Sequence, residues 1–186
     1  INPYRVVAEV KNALPRDAII TAEGETTMGI CRAMLPSFVN RSRFNAGTTG
    51  SMGVGVPYAV GAALACPDRV SMGVLGDYAF GAAAMAVETA ARVGAKPVLV
   101  VINNEGIAGH MLQDHMLPPD SPRIASLLPA RYEKMAEMVD GHAEYVENPG
   151  DIRPALDRAL ASGKLAIVHV RVDPKATRMG GTNYLQ

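Results

Sequence analysis

The stretch from Val70 to Gly106, VSMGVLGDYAFGAAAMAVETAARVGAKPVLVVINNEG, decides how this chain folds. Val70–Leu75 is a short apolar run that reads as a buried strand, Gly81–Val93 is Ala-rich and reads as a helix, and Pro97–Ile102 (PVLVVI) reads as a second buried strand. Strand, helix and strand in that order form one βαβ unit. Its crossover is right-handed and lays the two strands parallel and near one another.

Working outward, Asn2-Pro3 reads as the cap and first turn of a helix of about a dozen residues, with Val6, Val7, Val10 and Leu14 on one apolar face. Ala18–Thr21 is a β-branched run that reads as a strand, and AEGETT (22–27) reads as a loop at its carboxyl end. Pro57–Cys66 reads as a close-packed helix of small residues. Downstream, Tyr132–Val139 and Asp151–Ala161 read as helices, Ala143–Val146 as extended, and Leu165–Val172 as a final strand. At least five strands thus alternate with helices. The expected fold is α/β, a doubly wound and mostly parallel sheet with helices on both faces, and ligands of such folds bind outside the carboxyl ends of the strands. One domain is expected over 1–172. The tail 173–186, DPKATRMGGTNYLQ, has no periodicity and is expected to be a linker or a lid hinged at Gly180-Gly181 and ending in Asn183-Tyr184-Leu185.

The chemistry gathers at two strand ends. Gly76-Asp77-Tyr78-Ala79 leaves the first strand of the βαβ unit and Asn103-Asn104-Glu105-Gly106 leaves the second, so they meet at one sheet edge although 27 positions separate Asp77 from Asn104. A carboxylate and a side-chain amide oxygen are hard ligands. With a backbone carbonyl they leave octahedral positions for phosphate oxygens and water, which describes Mg²⁺ holding a diphosphate. The N-terminus of the helix near Gly81 adds unpaired N–H groups and a positive dipole end. Gly-Asp after a strand and Asn-Asn in a turn are each ordinary structural signals. Their joint placement is what points to a cation.

Composition excludes other classes. The 186 residues suit one domain, and 18 Lys+Arg against 18 Asp+Glu leave no broad basic field for nucleic acid or an anionic bilayer. Cys31 and Cys66 show no metal or redox spacing, which makes a reduced, cytoplasmic setting the expectation. No apolar run approaches the length of a membrane span, and the first residues carry no targeting pattern, so a soluble chain with no membrane partner is expected. The start at Ile1 suggests one piece of a longer polypeptide. His110 and His115 are five apart, off the register of a helical zinc pair, and His142 and His169 sit in or near strands; none is assigned to metal. Arg41 and Arg43 in NRSRF read as a solvated loop, with a CoA phosphate as the other use of an arginine pair.

The motifs resemble a known family. GDYAFG, the helix containing Glu88-Thr89 and VVINNEG are similar to the signature of thiamine diphosphate-dependent enzymes related to acetolactate synthase, pyruvate decarboxylase and oxalyl-CoA decarboxylase. AEGETTMG (22–29) and NAGTTGSMGVGVPYAVGAA (45–63) resemble the same family's diphosphate-binding domain, so the resemblance covers nearly the whole chain. It implies a thiamine diphosphate-binding fold with Mg²⁺ held by Asp77, Asn104 and the carbonyl of Gly106. It implies cofactor contacts along Gly76, Tyr78, Ala79, Gly106 and Ile107, with Thr26 and Thr27 as side-chain contributors. Tyr78 stands where the signature has its second glycine. Met52 falls where the family places a large apolar side chain beneath the bent cofactor.

The family's activating glutamate comes from a separate pyrimidine-binding domain of a neighbouring subunit, and nothing here resembles it. The resemblance therefore implies half an active site, completed by a pyrimidine-binding domain or subunit in a homo- or hetero-oligomer. Glu105 followed by Gly-Ile and Ala108, where related decarboxylases carry a tyrosine, is similar to actinobacterial 2-hydroxyacyl-CoA lyases, which cleave an acyl-CoA between C1 and C2 to a ketone or aldehyde plus formyl-CoA. On that reading Glu105 exchanges the proton of the 2-hydroxyl and Ala108 lines the substrate pocket. The alternatives are an oxalyl-CoA decarboxylase or acetolactate synthase-like domain and a non-catalytic cofactor-binding subunit.

Overall fold

The computed structural model describes residues 1–107 and 116–176. Its centre is a six-stranded sheet in the order β2-β1-β3-β4-β6-β5, and every pairing is parallel. The strands are β1 (Ile19–Glu23), β2 (Arg43–Asn45), β3 (Ser71–Gly76), β4 (Val98–Asn103), β5 (His142–Val146) and β6 (Ala166–Arg171).

Helices cover both faces, as a parallel sheet requires. On one face lie α1 (Pro3–Ala13), α2 (Glu25–Met34) and α7 (Ile152–Ala161), whose Val6, Val10, Ile30, Cys31 and Leu156 pack against Ile20, Val74, Val100 and Val168. On the other lie α3 (Gly55–Ala65), α4 (Asp77–Ala82), α5 (Ala86–Arg92) and α6 (Lys134–Glu137), whose Val56, Phe80, Val87 and Ala136 meet Leu75, Leu99, Val101 and Ile167. Strand β4 shows the alternation most simply: Val98, Val100 and Ile102 point to the first core, Leu99 and Val101 to the second.

Three expectations are corrected. AEGETT is not a loop: β1 runs on through Glu23 and α2 begins at Glu25 with Gly24 as its cap. The single helix expected over Gly81–Val93 is two helices, the first starting four residues earlier at Asp77, because Ala83 adopts φ −140° after α4 and the chain restarts helically at Ala86. Strand β2 is an addition, only three residues long, paired to the edge of β1. At the other end of the chain, Asp173 donates its N–H to the carbonyl of Ile1 at 2.8 Å, which ties the end of the last strand to the first helix. The expected lid residues Gly180, Gly181 and Asn183–Leu185 lie outside the described residues. Among the described residues, no helix is long and apolar enough to cross a membrane.

Candidate functional site

From β1 the chain crosses outward to β2 through α2 on one face, and from β3 it proceeds to β4 through α4 and α5 on the other. The connections therefore diverge between β1 and β3, and such a switch point opens a crevice at the carboxyl ends of its strands. A cleft of about 230 Å³ lies there. Its walls come from three strand ends and one loop.

The end of β1 supplies Gly24 and the first turn of α2, including Thr26 and Thr27. Gly24 has φ 100°, and a Cβ on it would stand 3.2 Å from the backbone nitrogen of Gly76, so the two strand ends approach as closely as they do only because glycine is there. The end of β3 supplies Gly76, Asp77, Tyr78 and Ala79, and the end of β4 supplies Asn104, Gly106 and Ile107. Met52, from the loop before α3, closes the remaining side. Every cofactor and metal candidate named from the sequence and lying within the described residues thus borders one cleft. Ala108 lies outside the described residues.

Asp77 is 2% exposed, and its two oxygens face different neighbours: Oδ1 accepts the Tyr78 N–H at 2.7 Å and Oδ2 accepts the Gly106 N–H at 3.1 Å. The donor set beside it, one buried carboxylate with an asparagine amide and backbone carbonyls, is all hard oxygen and suits Mg²⁺ rather than zinc. Among the described residues no three His, Cys, Asp or Glu side chains gather as a soft or multi-carboxylate site would require. The N-termini of α2 and α4 both border the cleft, which favours an anionic group.

Glu105 sits differently. Its backbone adopts φ 60°, its N–H is held by Asn103 Oδ1 at 2.8 Å, and its carboxylate meets Arg171 Nε at 3.2 Å. The side chain borders a separate pocket of about 90 Å³ beside Arg131, Tyr145 and His169, not the cleft between β1 and β3. Backbone pairing pins the same turn: Leu127 donates to the Glu105 carbonyl and Ile107 donates to the Ala125 carbonyl, each at 2.8 Å.

Arg43 does not face solvent as a loop arginine. Its guanidinium donates to the carbonyls of Cys31 and Leu35, at the C-terminal end of α2, and burial lowers its pKa.

Two features escape sequence reasoning. Glu23 is fully buried and accepts the N–H groups of Gly53, Val54 (3.1 Å) and Gly55 (2.6 Å), which anchors the start of α3 and the residue after Met52. The signal available was an acid at a strand end just before a glycine. Tyr132 lies behind the cleft, ring to ring with Phe80 at 5.7 Å; burial, then the charges of Asp77 and Glu105, push its hydroxyl up to about 12, so it stays protonated.

The relatives of this chain agree with the geometry. Residues 17–170 match the family described as thiamine pyrophosphate enzyme, C-terminal TPP binding domain. A 2-hydroxyacyl-CoA lyase of Oryza sativa subsp. japonica is 37% identical over 187 aligned residues, covering 97% of this chain and 32% of its own length. An oxalyl-CoA decarboxylase of Escherichia coli K12 is 30% identical, covering 97% of this chain and 32% of its own. Among solved structures, the thiamine diphosphate-dependent 4-hydroxybenzoylformate decarboxylase of Rhodococcus jostii RHA1 superposes with a TM-score of 0.76 at 24% identity, over 97% of this chain and 33% of that one, a likeness of fold. The chain spans about a third of the length of the curated relatives it matches. With its parallel sheet, its switch-point cleft and a family match over most of its length, the chain belongs to the thiamine pyrophosphate-dependent enzymes and is their C-terminal TPP-binding domain.

Proposed function

We propose that this domain holds Mg²⁺ and the diphosphate of the cofactor in an enzyme that cleaves a 2-hydroxyacyl-CoA between C1 and C2, releasing a ketone or aldehyde and formyl-CoA. The observation that carries the metal assignment is the meeting of Asp77, Asn104 and Gly106 at one cleft. Asp77, Asn104 and the Gly106 carbonyl would hold the cation. The first turns of α2 and α4, with Thr26, Thr27, Tyr78 and Ala79, would face the diphosphate, and Met52 and Ile107 would bear on the rings. When bound, thiamine diphosphate supplies an electron sink for the carbon–carbon cleavage. The preference for 2-hydroxyacyl-CoA is supported by the rice relative's name and by Glu105 preceding Gly-Ile-Ala in this chain.

The proton of the substrate's 2-hydroxyl passes to Glu105 in this reading. Its backbone lies between two cleft residues, and an ion pair to the exposed Arg171 holds its carboxylate outside. Such pairs are weak and salt-screened, so exchanging Arg171 for the substrate costs little beside what a general base contributes. A pyrimidine-binding domain or subunit supplies the rest of the site, consistent with a chain one third the length of its relatives. Oxalyl-CoA decarboxylation is the second reading, favoured by the Escherichia coli relative. Incubating the full-length enzyme with thiamine diphosphate, Mg²⁺ and either a 2-hydroxyacyl-CoA or oxalyl-CoA separates them. Ketone or aldehyde with formyl-CoA supports the lyase; CO₂ from oxalyl-CoA with the 2-hydroxyacyl-CoA untouched overturns it.

A further inference from the structure

Behind the metal loop runs a buried polar chain that none of the cleft chemistry uses. Asn103, His169 and Glu133 are 2%, 1% and 3% exposed, and they link β4, β6 and the segment before α6. Asn103 Oδ1 accepts the N–H of Glu105 at 2.8 Å, so its amide nitrogen is the atom that stands 2.9 Å from His169 Nε2. An amide nitrogen only donates, which makes Nε2 the unprotonated acceptor and places the ring proton on Nδ1, 2.7 Å from Glu133 Oε2. The other Glu133 oxygen is held by Arg131 Nε at 2.6 Å. Edge-on contacts with Tyr132 at 5.5 Å and Tyr145 at 4.9 Å fix the imidazole plane. Donation thus runs in one direction, from the Glu105 N–H through the Asn103 amide and the Nδ1-protonated His169 to the Glu133 carboxylate.

That last N–H belongs to a residue with φ 60°, a left-handed conformation that a glutamate adopts only when its surroundings impose it. The turn it makes places Asn104 and Gly106 on the cleft side and Glu105 on the other. We infer that His169 is a positioning residue: by orienting the Asn103 amide it fixes the Glu105 turn that presents Asn104 and Gly106 to the cation. This rests on the assignment of Mg²⁺ to Asp77, Asn104 and Gly106.

The test reads metal affinity directly, by Mn²⁺ titration with electron paramagnetic resonance on the full-length protein in the presence of thiamine diphosphate. His169→Phe keeps the ring contacts and removes both nitrogens; it is expected to weaken Mn²⁺ binding about 10–100-fold, the usual effect of losing the partner that orients a metal ligand. His169→Gln offers an oxygen to Asn103 and an NH₂ to Glu133 and is expected to recover most of that loss. Asn103→Ala cuts the same link one residue nearer the loop, should match His169→Phe, and replaces it if His169→Phe fails to fold. Mn²⁺ affinity within about threefold of the parent in both folded variants overturns the inference, since a merely structural histidine lowers the melting temperature without moving the Kd. Asp77→Ala is titrated alongside. Retained binding there removes the metal assignment and this inference with it, whereas binding lost there but kept in the His169 and Asn103 variants removes this inference alone.

Discussion

Asp77 Oδ2 accepts the N–H of Gly106 at 3.1 Å while its Oδ1 accepts the N–H of Tyr78 at 2.7 Å, so a single buried carboxylate joins the first turn of α4, at the end of β3, to the loop after β4. Residues far apart in sequence become one site because a right-handed crossover returns the chain alongside its starting strand. The carboxylate accepts from two backbone donors and, in the proposed site, would also bring charge to a cation. Those two roles are separable by substitution.

Asp77→Asn keeps a side chain of the same size and one acceptor oxygen, but it removes the charge and turns an amide nitrogen toward a backbone N–H. We expect Mg²⁺-dependent thiamine diphosphate binding to fall by about 100-fold or more while the fold persists, with Asp77→Ala losing it altogether. Calorimetric titration of cofactor into the full-length protein, with and without Mg²⁺, measures this. Unchanged affinity in Asp77→Ala would place the metal elsewhere.

The Glu23 clamp predicts a stability effect near the cleft. Glu23→Ala leaves the buried N–H of Gly55 and the half-buried N–H groups of Gly53 and Val54 without their acceptor, and a buried, unsatisfied donor costs about 1–3 kcal/mol. A loss of about 3 kcal/mol or more in urea unfolding is expected. Gly55→Ala should act similarly from the other side, because its Cβ would stand 2.5 Å from Glu23 Oε2. Both variants free the loop that carries Met52, so cofactor affinity should weaken as well.

The strands β3 and β4 could be read from sequence because a buried parallel strand is a nearly continuous apolar run, and VSMGVL and PVLVVI are such runs, whereas the stretch after β3 is the first turn of α4 and not a loop. Helix α2 could not: Thr26, Thr27 and Gly29 are poor helix formers, and what makes the segment helical is the packing of Ile30 and Cys31 on the sheet. Strand β2 is too short to show a period of two. The Glu23 clamp and the Glu133–His169–Asn103 chain are tertiary, joining residues 30 to 66 positions apart, and no local pattern encodes them.

Cys31 and Cys66 should differ sharply in reactivity. Burial pushes the Cys31 thiol up to about 12, with the nearby Arg43 charge only partly opposing it, so almost no thiolate exists at pH 8. Cys66, at the end of α3, is half-buried. Iodoacetamide at pH 8 followed by peptide mapping should label Cys66 in the native protein and Cys31 only after denaturation. The same shift carries a sign for stability. The folded pKa lies above the unfolded value of about 8.5, so this contribution is whole below that pH and is lost as pH rises toward 12. Native labelling of Cys31 at the rate of Cys66 would show that α2 opens.

Glu105 offers the sharpest kinetic prediction, because its position is ambivalent. The backbone belongs to the cleft loop, but the carboxylate rests on Arg171 in the adjoining pocket. If it takes the 2-hydroxyl proton, Glu105→Gln, equal in size but without a base, should lower kcat by about 10²–10⁴ with little change in cofactor affinity. Arg171→Ala should then leave kcat intact or raise it, since the carboxylate no longer has to leave a partner before reaching the substrate. Ketone or aldehyde release at saturating thiamine diphosphate measures both. A Gln variant within about threefold of the parent would mean that Glu105 serves the loop through its backbone alone, held by Asn103 and Leu127, and that another group carries the proton.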